Sequence, residues 1–277
     1  MNKNVDGRTV AGFADEWTRF DQSRLTSGES AELFESYFGI FPWHELPPCA
    51  VGFDAGCGTG RWARYVAPKV MTLHLIDASA EVIAIARRNL SGRANCVFHV
   101  ASVSSMPIEE QSADFGYCLG VLHHVPDTAA GIRACISKLK LGAPFLLYLY
   151  YAFENRPRWF RVLWKITDLV RSTISRSPFP LRYAISQLIA SCVYLPLARA
   201  ARLFESYGRD VSRFPLSFYK DRTFYTMRTD ALDRFGTRLE HRFTASEIER
   251  MMRSAGLDRI TFSIGPPFWC AVGYRSF

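Results

Sequence analysis

Seven cysteines lie scattered at positions 49, 57, 96, 118, 135, 192 and 270, and no two of them form a Cys-x-x-Cys pair. That excludes a disulfide framework or a zinc ribbon and favours reduced thiols in a cytosolic compartment. His123, His124 and Asp127 match no familiar ligand spacing, so no metal site is expected. There are no repeats and no low-complexity tracts. The first twelve residues carry charges and no apolar core, so no signal peptide is expected. A mostly apolar run from Tyr183 to Leu203 is interrupted by Ser186, Gln187 and Pro196 and is short for a membrane span. No recognised nucleic-acid module accompanies the formal charge of +8. The 277 residues suffice for one large core with an added lobe.

What is present is concentrated at Val51-Gly52-Phe53-Asp54-Ala55-Gly56-Cys57-Gly58-Thr59-Gly60. The run predicts an apolar strand that ends in an acidic residue and a glycine-dense turn. Glycine at 56, 58 and 60 lets the backbone turn sharply and approach a ligand. A helix predicted from Arg61 to Val66 would point its first N–H groups at that ligand. A dinucleotide fingerprint would need glycine at 61, and arginine there argues against a pyrophosphate. Cys57 is expected to be a small packing residue rather than a nucleophile.

Downstream, a strand over 71–76 ends at Asp77, close to the distance at which such folds place a ribose-binding carboxylate. Asp77 could instead cap the next helix, but Ser79 is the better cap. The pattern continues with a helix over 80–90, strands over 96–100 and 115–119, a helix over 128–139 and a strand over 144–151. Strands alternating with helices predict a parallel doubly wound α/β sheet with its ligand at the carboxyl ends of the strands.

These pieces together resemble the class I S-adenosylmethionine-dependent methyltransferases. The matching segments are Asp54-Ala-Gly-Cys-Gly-Thr-Gly60, Leu75-Ile-Asp-Ala-Ser79, Ser112 through Asp127 and Leu139-Lys-Leu-Gly-Ala-Pro144. A helix over 244–255 with strands over 260–264 and 269–274 resembles that fold's closing antiparallel hairpin. The resemblance implies a mostly parallel seven-stranded Rossmann-like sheet and S-adenosyl-L-methionine as cofactor. It gives Asp54, Gly56, Cys57, Gly58 and Gly60 to the methionine end, Asp77 with Ala78 to the ribose, and Leu119 and Gly120 to the wall beside the methyl. Many relatives place an acidic residue after the third strand to meet the adenine. This chain has Ala101-Ser102-Val103, where Ser102 can accept that hydrogen bond or leave it to the Val103 backbone.

Four segments follow: a helical cap over 1–44, a cofactor-binding core over 45–151, an insertion over 152–243 and a closing helix and hairpin over 244–277. Trp17 or Phe20 of the cap can shield the sulfonium, or the cap can simply pack on the sheet edge. Residues 156–242 hold 17 Lys or Arg against 7 Asp or Glu, leaving about −2 for the rest. An insertion of that length should carry its own helices. The position after 151 is where this fold often grows a lid over its substrate. In it Trp159, Phe160, Val162, Leu163, Trp164 and Ile166 interleave with Arg158, Arg161 and Lys165, a pattern that fits a helical lid on the catalytic domain or an interfacial membrane helix.

His123 and His124 are the candidates for a general base, though consecutive residues cannot both point at one atom. Tyr148, Tyr150, Tyr151 and His241 are further candidate contacts. The Asn/Asp-Pro-Pro-Tyr signature of nucleic-acid amine methylation is absent, since the equivalent residues read Leu119-Gly-Val-Leu122. The expectation is a cytoplasmic methyltransferase, with a site for peripheral contact at the membrane inner face, acting on a small or lipid-linked hydrophobic acceptor. O- or C-methylation is expected ahead of N-methylation. The competing readings are a non-catalytic cofactor-binding assembly subunit and an NAD(P)-dependent oxidoreductase.

Overall fold

The structure is a computed structural model and describes residues 4–22 and 24–277. The chain divides into two compact units: Met1–Gln22, Ser30–Ala152 and Leu239–Phe277 form one, and Ser23–Glu29 with Phe153–Arg238 the other.

The first unit begins with helices α1 (Gly7–Arg19) and α2 (Ser27–Phe38), the latter starting in the second unit's short segment. Strand β1 (Val51–Ala55) follows, then α3 (Ala63–Val66), β2 (Thr72–Asp77), α4 (Ala80–Asn89), β3 (Cys96–Val100), β4 (Phe115–Leu119), α5 (Thr128–Ile136) and β5 (Pro144–Tyr148). The strands form one seven-stranded sheet in the order β3-β2-β1-β4-β5-β7-β6, where β6 is Leu257–Phe262 and β7 is Cys270–Arg275. Strands β1 to β5 run parallel, and β7 runs antiparallel to both β5 and β6. The sheet is the mostly parallel Rossmann-like arrangement of the methyltransferase fold.

Strand alternation puts apolar side chains on both faces. Phe115, Tyr117, Leu119 and Leu146 pack with Phe34, Phe38 and Trp62 on one side. Phe53, Cys118, Phe145 and Leu147 pack on the other with Ile132 and Cys135 of α5 and with Ile248 and Met252. Two glycines allow this core to close: β1 and β4 pair Gly52 with Phe115 and Phe53 with Gly116. Each phenyl ring occupies the space that a Cβ on the opposite glycine would need.

Four predicted elements differ in extent by two residues or more, among them the strand expected over 260–264, which runs from Leu257 to Phe262. The helix expected over 61–66 ends at Val66 as expected, ahead of Pro68, but begins two residues later, at Ala63. The helix expected over 128–139 stops at Ile136. The fifth strand ends at Tyr148 rather than 151, and Tyr151 instead bridges Phe243. There the backbone leaves and re-enters the first unit, with the Phe243 N–H donating to Tyr150 at 2.9 Å and the Ala152 N–H to Phe243 at 2.9 Å. Helix α10 (Ala245–Ser254) starts on a capping box, in which Thr244 and Glu247 each accept from the other's backbone N–H.

The second unit is helical: α6 (Arg158–Ile174), α7 (Phe179–Ile189), α8 (Leu195–Ser206) and α9 (Phe224–Gly236). A π-helical turn over 190–194 joins α7 to α8 into one 28-residue helix, long and apolar enough by composition to cross a membrane. One stripe of it, including Arg182, Ser186, Ala190, Tyr194 and Ala198, is nevertheless buried, with Ala190, Tyr194 and Ala198 clustering with Met227, Ala231 and Phe235 of α9. Both ends of α9 are capped by charge. Glu29 accepts from the Thr223 N–H and the Thr226 hydroxyl at its start, and Arg171 and Arg182 donate to the Thr237 and Gly236 carbonyls at its end. That polarity suits the helix dipole.

Candidate functional site

The carboxyl ends of β1, β2 and β4 bring together most of the residues singled out in the sequence. After β1 the chain turns through Gly56, Gly58 and Gly60, all at positive φ (82°, 54° and 78°), a region costly for any other residue. The Gly56 and Cys57 N–H groups donate to the Ile76 carbonyl at 2.8 and 2.9 Å, which fixes the turn to the end of β2. Asp77 holds the same turn from its side chain, accepting from the Gly58 N–H at 3.2 Å and the Ser79 N–H at 3.0 Å. Ser79 caps α4 through its hydroxyl, which accepts from the Val82 N–H at 3.2 Å. The carboxylate and the cap are therefore separate residues. Burial raises the Asp77 pKa, opposed by these backbone donors.

Asp54 is 1% exposed, and its Oδ2 has no hydrogen-bond partner among the described residues. Burial pushes its pKa up to about 8, against the Tyr117 hydroxyl and Arg61 and with the aid of Asp77. A buried carboxyl with no direct ion pair is costly to ionise unless a ligand supplies a cation. A cationic group bound at the turn would meet that need, and the amino end of S-adenosylmethionine carries one. Cys57 is also buried and its thiol is pushed well up by burial, so it is a packing residue and not a thiolate.

Helix α1 lies against this ground. A Cβ on Gly58 would touch the Trp17 ring at 3.8 Å, and the Phe13 ring lies 4.9 Å from that of His124. The helix is tied at both ends. Before it, Asn4 exchanges two 2.8 Å hydrogen bonds with the Asp127 backbone. After it, Asp21 pairs with Arg88 at 3.2 Å, and the Asn89 amide donates to the Asp21 and Thr59 carbonyls. Phe20, the other aromatic considered for shielding, is 2% exposed at the end of α1.

Leu119 ends β4, and Gly120 follows at φ 80° with open space where a Cβ would stand. After β3, Val103 is buried, whereas the Ser102 hydroxyl bonds Ser105 at 2.8 Å. Ala78 lies between Asp77 and the cap.

A short 3₁₀ turn presents the histidine pair, and the two rings differ in surroundings. His123 is fully buried, its ring stacked 3.8 Å from Tyr150, and neither of its nitrogens has a hydrogen-bond partner among the described residues. Burial, with His124, Arg242 and His241, drives its pKa well below the ordinary value, so it is neutral. His124 Nδ1 lies 2.7 Å from the Leu239 carbonyl. A carbonyl only accepts, so Nδ1 carries a proton, and in the neutral ring the lone pair is on Nε2.

Of the strand-like segment that backs this pair, sequence reasoning named only His241. Its His241 N–H donates to the His123 carbonyl at 2.9 Å, and Arg242 binds Glu240 at 2.8 Å and lies 5.0 Å from the Tyr150 ring. More than a hundred residues separate 123 from 241, and no local pattern announces the contact. No cluster of three or more metal-ligating side chains occurs among the described residues.

Residues 53–142 match the family described as methyltransferase domain. Curated relatives include the ubiquinone biosynthesis O-methyltransferases of Xanthomonas campestris pv. campestris (strain B100), 35% identical over 102 residues covering 36% of this chain and 43% of that protein, and of Xanthomonas axonopodis pv. citri (strain 306), 35% identical over 103 residues with the same coverage. The match thus spans less than half the length of those relatives. Among solved structures, a methyltransferase from Methanosarcina mazei superposes with TM-score 0.51 at 17% identity over 84% of this chain and 96% of that one. Human N-acetylserotonin methyltransferase superposes with TM-score 0.50 at 15% identity over 98% of this chain and 67% of that one. At such identities the likeness is one of fold.

Proposed function

We propose that this chain, which belongs to the class I S-adenosylmethionine-dependent methyltransferases, transfers a methyl group to a hydroxyl or an activated carbon of a small or lipid-linked hydrophobic acceptor. The observation that carries the cofactor reading is Asp54, a buried carboxyl in no ion pair among the described residues, beside a glycine turn held by Asp77. Bound S-adenosylmethionine supplies an electrophilic methyl on a positively charged sulfur. Around it the residues act by position. Asp54 and the 56–60 turn hold the methionine end, Asp77 accepts from the ribose with the lone pairs its backbone donors leave, and Ala78 lines that side. Val103 and Ser102 border the adenine. Leu119 and Gly120 form the wall at the methyl, and Trp17 closes the turn to water. Holding acceptor and methyl in line contributes ~7–11 kcal/mol without further chemistry.

His124 is the better base of the pair. The Leu239 carbonyl fixes its tautomer with the lone pair on Nε2, whereas His123 is locked under Tyr150. A general base there adds ~10²–10⁴-fold when the acceptor must lose a proton. The curated relatives are named for O-methylation in ubiquinone biosynthesis, which supports a hydroxyl on a hydrophobic ring as the acceptor. The strand order β3-β2-β1-β4-β5-β7-β6, with β7 inserted antiparallel between β5 and β6, departs from the 3-2-1-4-5-6 order of a dinucleotide-binding sheet and supports the methyltransferase reading over a nicotinamide enzyme.

The test is an acceptor screen with S-adenosylmethionine, using hydrophobic phenols and catechols against amines, read by mass spectrometry. A product heavier by one methyl from the phenols, reduced in His124→Ala, supports the assignment. Methylated amines alone would overturn the acceptor class.

A further inference from the structure

Helix α6 has three faces. At 3.6 residues per turn, Phe160, Trp164, Asp168, Arg171 and Ile174 share one face, which turns into the second unit. There Trp164 lies 5.2 Å below the Arg234 guanidinium, and Asp168 pairs with Arg171 at 2.6 Å and Arg234 at 3.5 Å. On the opposite face stand Trp159, Val162, Leu163, Ile166, Leu169 and Val170. They fill a sector roughly 120° wide, and every one of them is between 44% and 73% exposed. Arg158, Arg161 and Lys165 fill the third face, along one border of the apolar sector, and none of them pairs with an acid among the described residues.

An amphipathic helix ordinarily turns its apolar stripe to the core. Here the core-facing side is already satisfied by aromatic rings and an ion-pair network, and the wider aliphatic stripe faces out. Six large apolar side chains in water on one helix mark a contact surface. The charge beside them says what kind. From Arg158 to Ser206 the chain carries eight Lys or Arg and two Asp or Glu, so the surroundings favour a negatively charged partner. Aliphatic residues with one tryptophan, bordered by unpaired cations, match an acyl layer under anionic headgroups.

We propose that α6 is a membrane-docking helix that lies flat on an anionic phospholipid bilayer, with its 159–170 stripe in the acyl boundary and Arg158, Arg161 and Lys165 at the phosphates. A surface of this kind brings the protein to acceptors dissolved in the membrane. In that respect it deepens the hydrophobic-acceptor reading, though docking itself does not depend on methyl transfer.

The test titrates the full chain with mixed vesicles of phosphatidylglycerol and phosphatidylcholine, and with phosphatidylcholine alone. Binding is read by sedimentation and by tryptophan quenching from brominated lipid, with S-adenosylhomocysteine affinity measured in parallel. The wild type should bind the anionic vesicles and release them with salt. Trp159→Phe should lose most of the quenching, since Trp164 points inward. Ile166→Asp, at an exposed site where folding is not at stake, should weaken binding about tenfold. Replacing Arg158, Arg161 and Lys165 with Gln should weaken it about 100-fold, about fivefold for each cation. Unchanged S-adenosylhomocysteine affinity in these variants separates docking from the cofactor site. Failure of the wild type to bind anionic vesicles, equal binding by Ile166→Asp, or quenching that ignores Trp159 would overturn the proposal. Self-association abolished by Ile166→Asp without vesicle binding would assign the face to a second copy of the chain instead.

Discussion

Cofactor binding should release a proton, and Asp54 should be its source. With a pKa of about 8 in the ligand-free protein, about nine in ten Asp54 carboxyls are protonated at pH 7. A ligand cation at the turn offsets the burial that raised the pKa and returns the group to its carboxylate form. Binding of S-adenosylhomocysteine at pH 7 should then release about 0.9 proton, and at pH 9 only about 0.1, since the carboxyl is already ionised there. Calorimetry in buffers of different ionisation enthalpy measures this number as the slope of observed enthalpy against buffer enthalpy. Asp54→Asn should abolish the slope and weaken binding. The same shift bears on stability. The folded pKa is raised, so between pH 4 and 8 the unfolded chain has lost a proton that the folded one keeps, and stability falls as pH rises. The shift from 3.8 to about 8 sets a cost of up to about 6 kcal/mol at about 1.4 per pK unit, which Asp54→Asn should remove. Tight binding at pH 7 with no dependence on buffer would refute this reasoning, because it would mean that the carboxyl meets no cation.

Other outcomes follow from the same geometry. Asp77→Ala should weaken S-adenosylhomocysteine about 100-fold, having lost both the ribose acceptor and the hold on Gly58, while Asp77→Asn should lose less; calorimetry on both decides it. His124→Ala should lower kcat by about 10²–10⁴-fold on a hydroxyl acceptor. His123→Leu should leave stability at neutral pH equal or higher, because it removes two buried nitrogens without partners. Since the His123 pKa is lowered on folding, the wild type should lose stability as pH falls through about 6.5, where the unfolded histidine takes up its proton. Urea titrations across pH should show that loss reduced in His123→Leu. Gly52→Ala and Gly116→Ala each drive a methyl into a phenyl ring and should cost at least about 1–3 kcal/mol by urea denaturation.

The sheet was legible because β4 and β5 are continuous apolar runs and β1 and β2 are mostly apolar runs closing on an acid and turn residues, as buried parallel strands read. The glycine turn and Asp77 were legible for a related reason: special backbone geometry restricts which residues are allowed. The end of α3 at Val66 matches the expectation, whereas its start was read two residues early, at Arg61 rather than Ala63. Strand β5 was read too long because Tyr150 and Tyr151 are good strand formers, yet beyond Tyr148 the backbone leaves the sheet to meet Phe243. Two features stayed hidden because they depend on distant partners. The difference between His123 and His124 is set by Tyr150, Leu239 and Arg242. The direction of α6 is set by Arg234, which draws Trp164 inward and leaves the 159–170 stripe outside. Periodicity can find such a helix, but it cannot say which face the rest of the chain will cover.

The most direct test of the central claim is a calorimetric titration of the purified protein with S-adenosylhomocysteine and, separately, with NADH. The account predicts micromolar one-to-one binding of the sulfur ligand and none of NADH. Binding of NADH alone would contradict it in favour of hydride chemistry, and binding of neither would leave a methyltransferase fold serving only as an assembly subunit.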